Sequence, residues 1–162
     1  MRLKSTLPLE IATSIVEEAL RLGRRQGMHP LTVVVLDNGG RIVAAKSEDG
    51  SGILRFGVAH GKAWGALGMG ISSRLIRDRL ANRPSFQNAL AVASDGKLIP
   101  VPGGVLIEDG DGFTIGAVGI SGDTSEKDEY CAISAIKSVG LQPEPSDVDP
   151  NWQTSRLSDK KD

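Results

Sequence analysis

LTVVVLDNGGRIVAAK, residues 31–46, is the stretch from which the rest of the chain is read. Leu31 to Leu36 is a dense apolar run rich in β-branched side chains, the composition of a buried strand. Asp37-Asn38-Gly39-Gly40 is a strong turn signal. Arg41 to Lys46 resumes as a second strand, so the stretch is a β-hairpin.

Upstream, Leu7 to Gln26 reads as an amphipathic helix. Ile11, Ile15 and Ala19 recur at helical spacing beside Ala12, Val16 and Leu20, Pro8 suits the first turn, and Gly27 stops the run. Downstream, Ile53 to Met69 reads as a second helix, Ser72 to Ala81 as a short one, and Pro84 opens another through Val92. Leu98 to Val101 reads as a third strand. Val105 to Glu108 and Phe113 to Ile120 form a second hairpin around Asp109-Gly110-Asp111-Gly112. Asp123 to Val139 is the last helix. Two hairpins with helices around them give an α/β domain of the α+β kind, an antiparallel sheet covered by helices. Residues 1–141 form that single domain, and residues 142–162, rich in proline and charge, form an irregular tail with Trp152 docked on the body.

The composition narrows the function. With a net charge of −1, the chain lacks the basic surface that nucleic-acid binding requires. Aromatic residues are only 4%, so the core must be aliphatic. The single cysteine, Cys131, excludes an intrachain disulfide and a cysteine-bound metal cluster, and no other group has metal-ligand spacing. Met1 to Pro8 holds no apolar run of signal-peptide length, and no segment approaches the ~20 apolar residues of a membrane span. A cytoplasmic protein is the expectation.

Leu31 to Ile136 resembles the GlcG/HbpS-like family of haem-binding and haem-degrading proteins, and also the C-terminal domain of PduO-type adenosyltransferases. The residues that carry the likeness are Val34-Val35-Leu36-Asp37-Asn38-Gly39-Gly40, Asp49-Gly50, Gly61-Lys62-Ala63, Pro100-Val101-Pro102-Gly103-Gly104-Val105, Ile115 to Gly122, and Asp128-Glu129. The resemblance implies a five-stranded antiparallel sheet with helices packed on it, a homo-oligomer, and a companion role in a catabolic pathway. The chain departs from the family where Ser47-Glu48 stands for Arg-Met before Asp-Gly, and where Leu106 follows Gly103-Gly104-Val105 in place of proline. Both departures fall where a ligand pocket is expected.

The helix from Ile53 to Met69 holds most of the candidate chemistry. Arg55, Ala59, Lys62 and Ala66 share one face, two cations among small side chains that can hold a carboxylate, or else an ordinary solvated face. Gly57, Gly61, Gly65 and Gly68 form a second stripe. Each mid-helix glycine costs about 1 kcal/mol relative to alanine, so close backbone approach must offset it. Phe56, His60 and Trp64 form a third stripe, in which His60 is a candidate haem ligand or proton carrier, or simply structural. Pro102-Gly103-Gly104 is a turn that reverses the chain or brings backbone to a ligand. Asp128 and Glu129 are candidate acid/base groups, although capping explains most acids in that helix's first turns.

Two glycine-rich runs are rejected as nucleotide sites. Gly57 to Ala63 is one residue short of a phosphate loop and lacks its Ser/Thr, and Gly68-Met69-Gly70 ends a helix without the third glycine. Two functions remain. The leading one is small-molecule binding, with haem or another tetrapyrrole as ligand, His60 as axial candidate, and Arg55, Lys62, Gly103 and Gly104 around the pocket. The alternative is a cofactor-independent isomerase, tautomerase or hydrolase of a small carboxylated intermediate, with Lys62 or Arg55 on the carboxylate and His60 or Asp128 moving a proton.

Overall fold

The computed structural model describes residues 4–157. Helix α1 (Leu9–Arg25) leads into strands β1 (Thr32–Asp37) and β2 (Ile42–Ser47). Three helices follow, α2 (Leu54–Met69), α3 (Ser73–Leu80) and α4 (Pro84–Ala93). Strands β3 (Gly104–Glu108) and β4 (Thr114–Ser121) come next, then α5 (Ser125–Ser138), β5 (Gln142–Glu144) and a 3-10 turn at Trp152–Thr154. The five strands form one sheet in the order β2-β1-β4-β3-β5, antiparallel throughout. Both predicted hairpins are present, and the implied five-stranded sheet is found.

The apolar run that opened the sequence reading lies at the middle of this sheet with both faces covered. Val33 and Val35 point into a core made with α1 and α5, together with Val105, Val118 and Ile120. Val34 and Leu36 point the other way, onto Ala59, Ala63 and Ala66 of α2. Strand alternation therefore sorts one apolar segment into two cores. The aliphatic side is thick. The α2 side is thin, built from alanines and glycines, so the α2 backbone comes close to the sheet.

Two expectations change. Leu98 to Val101 is not a strand. The Leu98 and Ile99 side chains lie against α2 at Gly65 and Gly61, and the Ile99 amide donates to the Gly61 carbonyl at 3.4 Å. The missing strand is supplied by Gln142–Glu144, inside the segment expected to be irregular, which pairs with β3 at the sheet edge. Proline is tolerated there because an edge strand need not donate on both sides, and Pro143 sits opposite Ile107. The chain after β5 crosses back over α5, where Trp152 stacks on Tyr130 with ring centroids 3.7 Å apart. No described helix is long and apolar enough to cross a membrane.

Candidate functional site

Helix α2 is seated by a glycine pair. Gly104 of β3 and Gly119 of β4 face each other in register. A Cβ on Gly104 would collide with the Lys62 carbonyl, and one on Gly119 with the Ala59 carbonyl. The absence of those two side chains lets the helix backbone rest on the strands. The alternative of a solvated face for Arg55, Ala59, Lys62 and Ala66 is thereby overturned at three of the four positions, because Ala59, Lys62 and Ala66 are buried.

Lys62 is 2% exposed and runs along the sheet to its end. Its Nζ donates to the Ile120 carbonyl at 2.8 Å and to Asp128 Oδ2 at 2.9 Å. Asp128 is 1% exposed, and its other oxygen accepts the Asp123 amide at 3.1 Å. Burial pushes the Asp128 carboxyl above its ordinary value, opposed by the Lys62 cation and the Asp123 amide. Gly103, at φ +113°, passes beside this pair, and a Cβ there would lie 2.9 Å from Lys62 Nζ. Lys62, Asp128, Gly103 and Gly104 are thus brought together as a buried brace between α2, α5 and the start of β3.

The neighbouring acids are also committed. Glu129 is fully buried and held by the Arg74 guanidinium, whose Nε lies 2.9 Å from Oε2. The cap of α5 is Thr124, whose hydroxyl oxygen accepts the Lys127 amide at 3.3 Å. Arg55 is half-buried and donates to Ser121 Oγ at 3.3 Å.

His60 stands elsewhere. At 3.6 residues per turn it is rotated about 160° round α2 from Lys62 and about 140° from Arg55. It therefore converges with neither of them, nor with Asp128. The imidazole is half-buried and stacks on Phe56 with ring centroids 6.2 Å apart. Burial, and secondarily the Lys97 cation, push its pKa below the ordinary 6.5, so the ring is neutral at pH 7. Beside it Gly57 leaves open space, for a Cβ there would meet nothing within 4 Å. Ile53 is 100% exposed at the start of the same helix.

Sequence reading missed Lys97. The glycine stripe announced a close approach, and the partner is the segment Lys97-Leu98-Ile99. A Cβ on Gly61 would strike the Lys97 carbonyl, and one on Gly65 would lie 3.3 Å from Leu98 Cγ. Seated there, Lys97 places its Nζ 5.4 Å from the centre of the Trp64 ring. Gly57 and Gly68 have no such internal partner.

Four recesses can be described. Two, of about 620 and 660 Å³, lie along the exposed side of α1, where Glu17, Glu18, Arg21 and Arg24 are engaged in ion pairs. Two smaller ones, of about 190 and 150 Å³, flank Trp64. Arg55, Lys62, Gly103 and Gly104 line none of the four.

Residues 7–137 match the model of a family described as haem degrading protein, HbpS-like. Among solved structures, the PduOC:Heme complex is similar at 23% identity and TM-score 0.77, over 85% of this chain and 98% of that one. Klebsiella pneumoniae protein ORFY is similar at 22% identity and TM-score 0.76, over 86% and 94%. HbpS is similar at 23% identity and TM-score 0.70, over 86% and 93%. No curated protein sequence matches the chain.

Proposed function

Because this chain belongs to the HbpS-like haem-degrading family, we propose that it binds a small molecule, haem or a related tetrapyrrole, on the outer face of α2. The observation that carries the reading is the His60 imidazole, half-buried yet kept neutral, on a helix face whose next turn is the bare backbone of Gly57. A neutral imidazole is the form that ligates iron. A flat macrocycle needs apolar surface without projecting side chains, and Phe56, Gly57 and the exposed Ile53 offer it. Lys97, beside His60, is the cation within reach of a propionate, a role that Lys62 is unable to take while it is buried against Asp128.

A bound haem would supply redox-active iron. The chain's own part is to present the imidazole, cover one face of the ring and hold an acidic edge. Lys62, Asp128, Gly103 and Gly104 act behind this face by fixing the seat of α2. This fits better than the proton-transfer alternative, because His60 and Asp128 lie on opposite sides of the helix. Titration with haemin tests the reading. One equivalent should shift the Soret band to saturation, and His60→Ala should remove the shift. Absence of a stoichiometric shift in the wild type overturns the haem reading, and an unchanged shift in His60→Ala removes His60 as ligand.

Self-association in the cytoplasm belongs to the same proposal. Helix α4 has no charged and no buried residue, and Val92 is 80% exposed, which suits a face that a second copy covers. Light scattering should give a mass above the 17.1 kDa of one chain, and a monomer at high concentration would contradict it.

A further inference from the structure

The smaller recess beside Trp64 has a chemistry of its own. It lies between α2 and α4, against Trp64, Gly68, Met69, Leu90, Ala93 and Leu98, with a volume of about 150 Å³. One wall is fixed by close packing. Gly40 of the β1–β2 turn, at φ +77°, lies under the Trp64 indole, where a Cβ would be 3.4 Å from its Cδ1. The opposite wall stands off, since α4 buries none of its residues and Leu90 is only half covered. The floor is open because Gly68 has no side chain, and a Cβ there would meet only the Trp64 ring, at 4.0 Å.

The interior offers no free polar group. The one hydroxyl on its lining, Ser94 Oγ, donates to the Ala91 carbonyl at 3.1 Å and accepts the Leu98 amide at 3.2 Å. Lys97, next in the chain to Leu98 of the lining, holds its Nζ 5.4 Å from the centre of the Trp64 ring. Among the described residues Lys97 forms no salt bridge. A space of this size holds about one benzene-sized ring and is far too small for a macrocycle.

We propose that this recess binds a monocyclic aromatic carboxylate, the ring against Trp64 and the carboxylate on Lys97. Aromatic stacking and a charge-assisted contact are the two interactions its walls provide. The site shares Lys97 with the tetrapyrrole reading but does not use His60, and failure of haemin to bind leaves it intact.

The experiment uses Trp64 as reporter in a Trp152→Phe background, which leaves one tryptophan in the chain. Benzoate should change Trp64 emission to saturation, and benzyl alcohol should do so with about tenfold weaker affinity, the scale of one charge-assisted contact. Lys97→Ala should weaken benzoate about tenfold and leave benzyl alcohol within about twofold. Gly68→Leu, on an exposed helix position, should fill the recess and abolish both responses, and Ala93→Leu should do the same from the α4 wall. Thermal melts confirm that each variant is folded. A non-saturating response to benzoate, or full binding in both filled variants, overturns the site. Equal affinity for benzoate and benzyl alcohol overturns the role of Lys97.

Discussion

The two faces of α2 use similar residues for opposite ends. The inner face carries Ala59, Lys62, Ala63 and Ala66, all buried, and its one fully buried charged group is locked to Asp128. The outer face carries Phe56, Gly57, His60 and Trp64, all partly or fully accessible to solvent. Glycines serve the inner seating through the strands and the outer face through the helix itself. A lysine and a histidine two positions apart on one helix therefore belong to different parts of the molecule. The lysine is architecture, and the histidine stands outside it.

The largest effect expected from this contrast is on the inner face. Lys62→Met removes one partner of a buried pair and leaves the Asp128 carboxylate uncompensated, at about 3–5 kcal/mol. Adding Asp128→Leu should recover most of that loss, because well-packed apolar residues replace buried ion pairs at little cost. Urea denaturation of the wild type and the two variants measures both steps. A loss under about 1 kcal/mol in Lys62→Met would break the inner half of the comparison.

Glycine substitutions sharpen it. Gly61→Ala forces the Lys97 carbonyl off the helix and should cost about 1–3 kcal/mol, the range of an overpacked site. Gly57→Ala meets nothing within 4 Å and should instead stabilise by about 1 kcal/mol through helix propensity. That gain corresponds to a rise of about 2–4 °C in Tm for a chain of this size. If Gly57→Ala destabilises, the outer face has an internal partner and is not open.

A smaller effect concerns His60 itself. Its folded pKa lies below its unfolded value, so the unfolded chain takes up the proton first as pH falls. The stability that the neutral ring contributes is present above about pH 6.5 and is lost as pH falls through the folded midpoint. NMR titration should place that midpoint below 6.5. Lys97→Ala should raise it only part of the way, since burial is the larger cause. A midpoint above 6.5 would mean an acidic neighbour that the outer face does not contain.

The hairpins were legible because their signals are local: a β-branched run, then Asp37-Asn38-Gly39-Gly40, then a second strand. β5 was not legible, because three residues containing Pro143 carry no strand pattern and are recruited by the free edge of β3. Leu98 to Val101 has a strand's composition, but the bare backbone at Gly61 and Gly65 holds Leu98 and Ile99 against a helix. In the site, spacing put Lys62 and Arg55 on one face, yet it is silent on whether that face meets water or a sheet. The seat that buries Lys62 depends on Gly104 and Gly119, two strand residues far along the chain. Lys97 left no local signal, since its position comes from contact with glycines in another element.

Haemin titration followed at the Soret band, run in parallel on the wild type, on His60→Ala and on the folded Lys62→Met/Asp128→Leu pair, tests the division of α2 most directly. Saturation at one haem per chain is expected in the wild type and in the double variant, with the response lost in His60→Ala. Loss of binding in the folded double variant, or wild-type binding in His60→Ala, would contradict the assignment of ligand binding to the outer face.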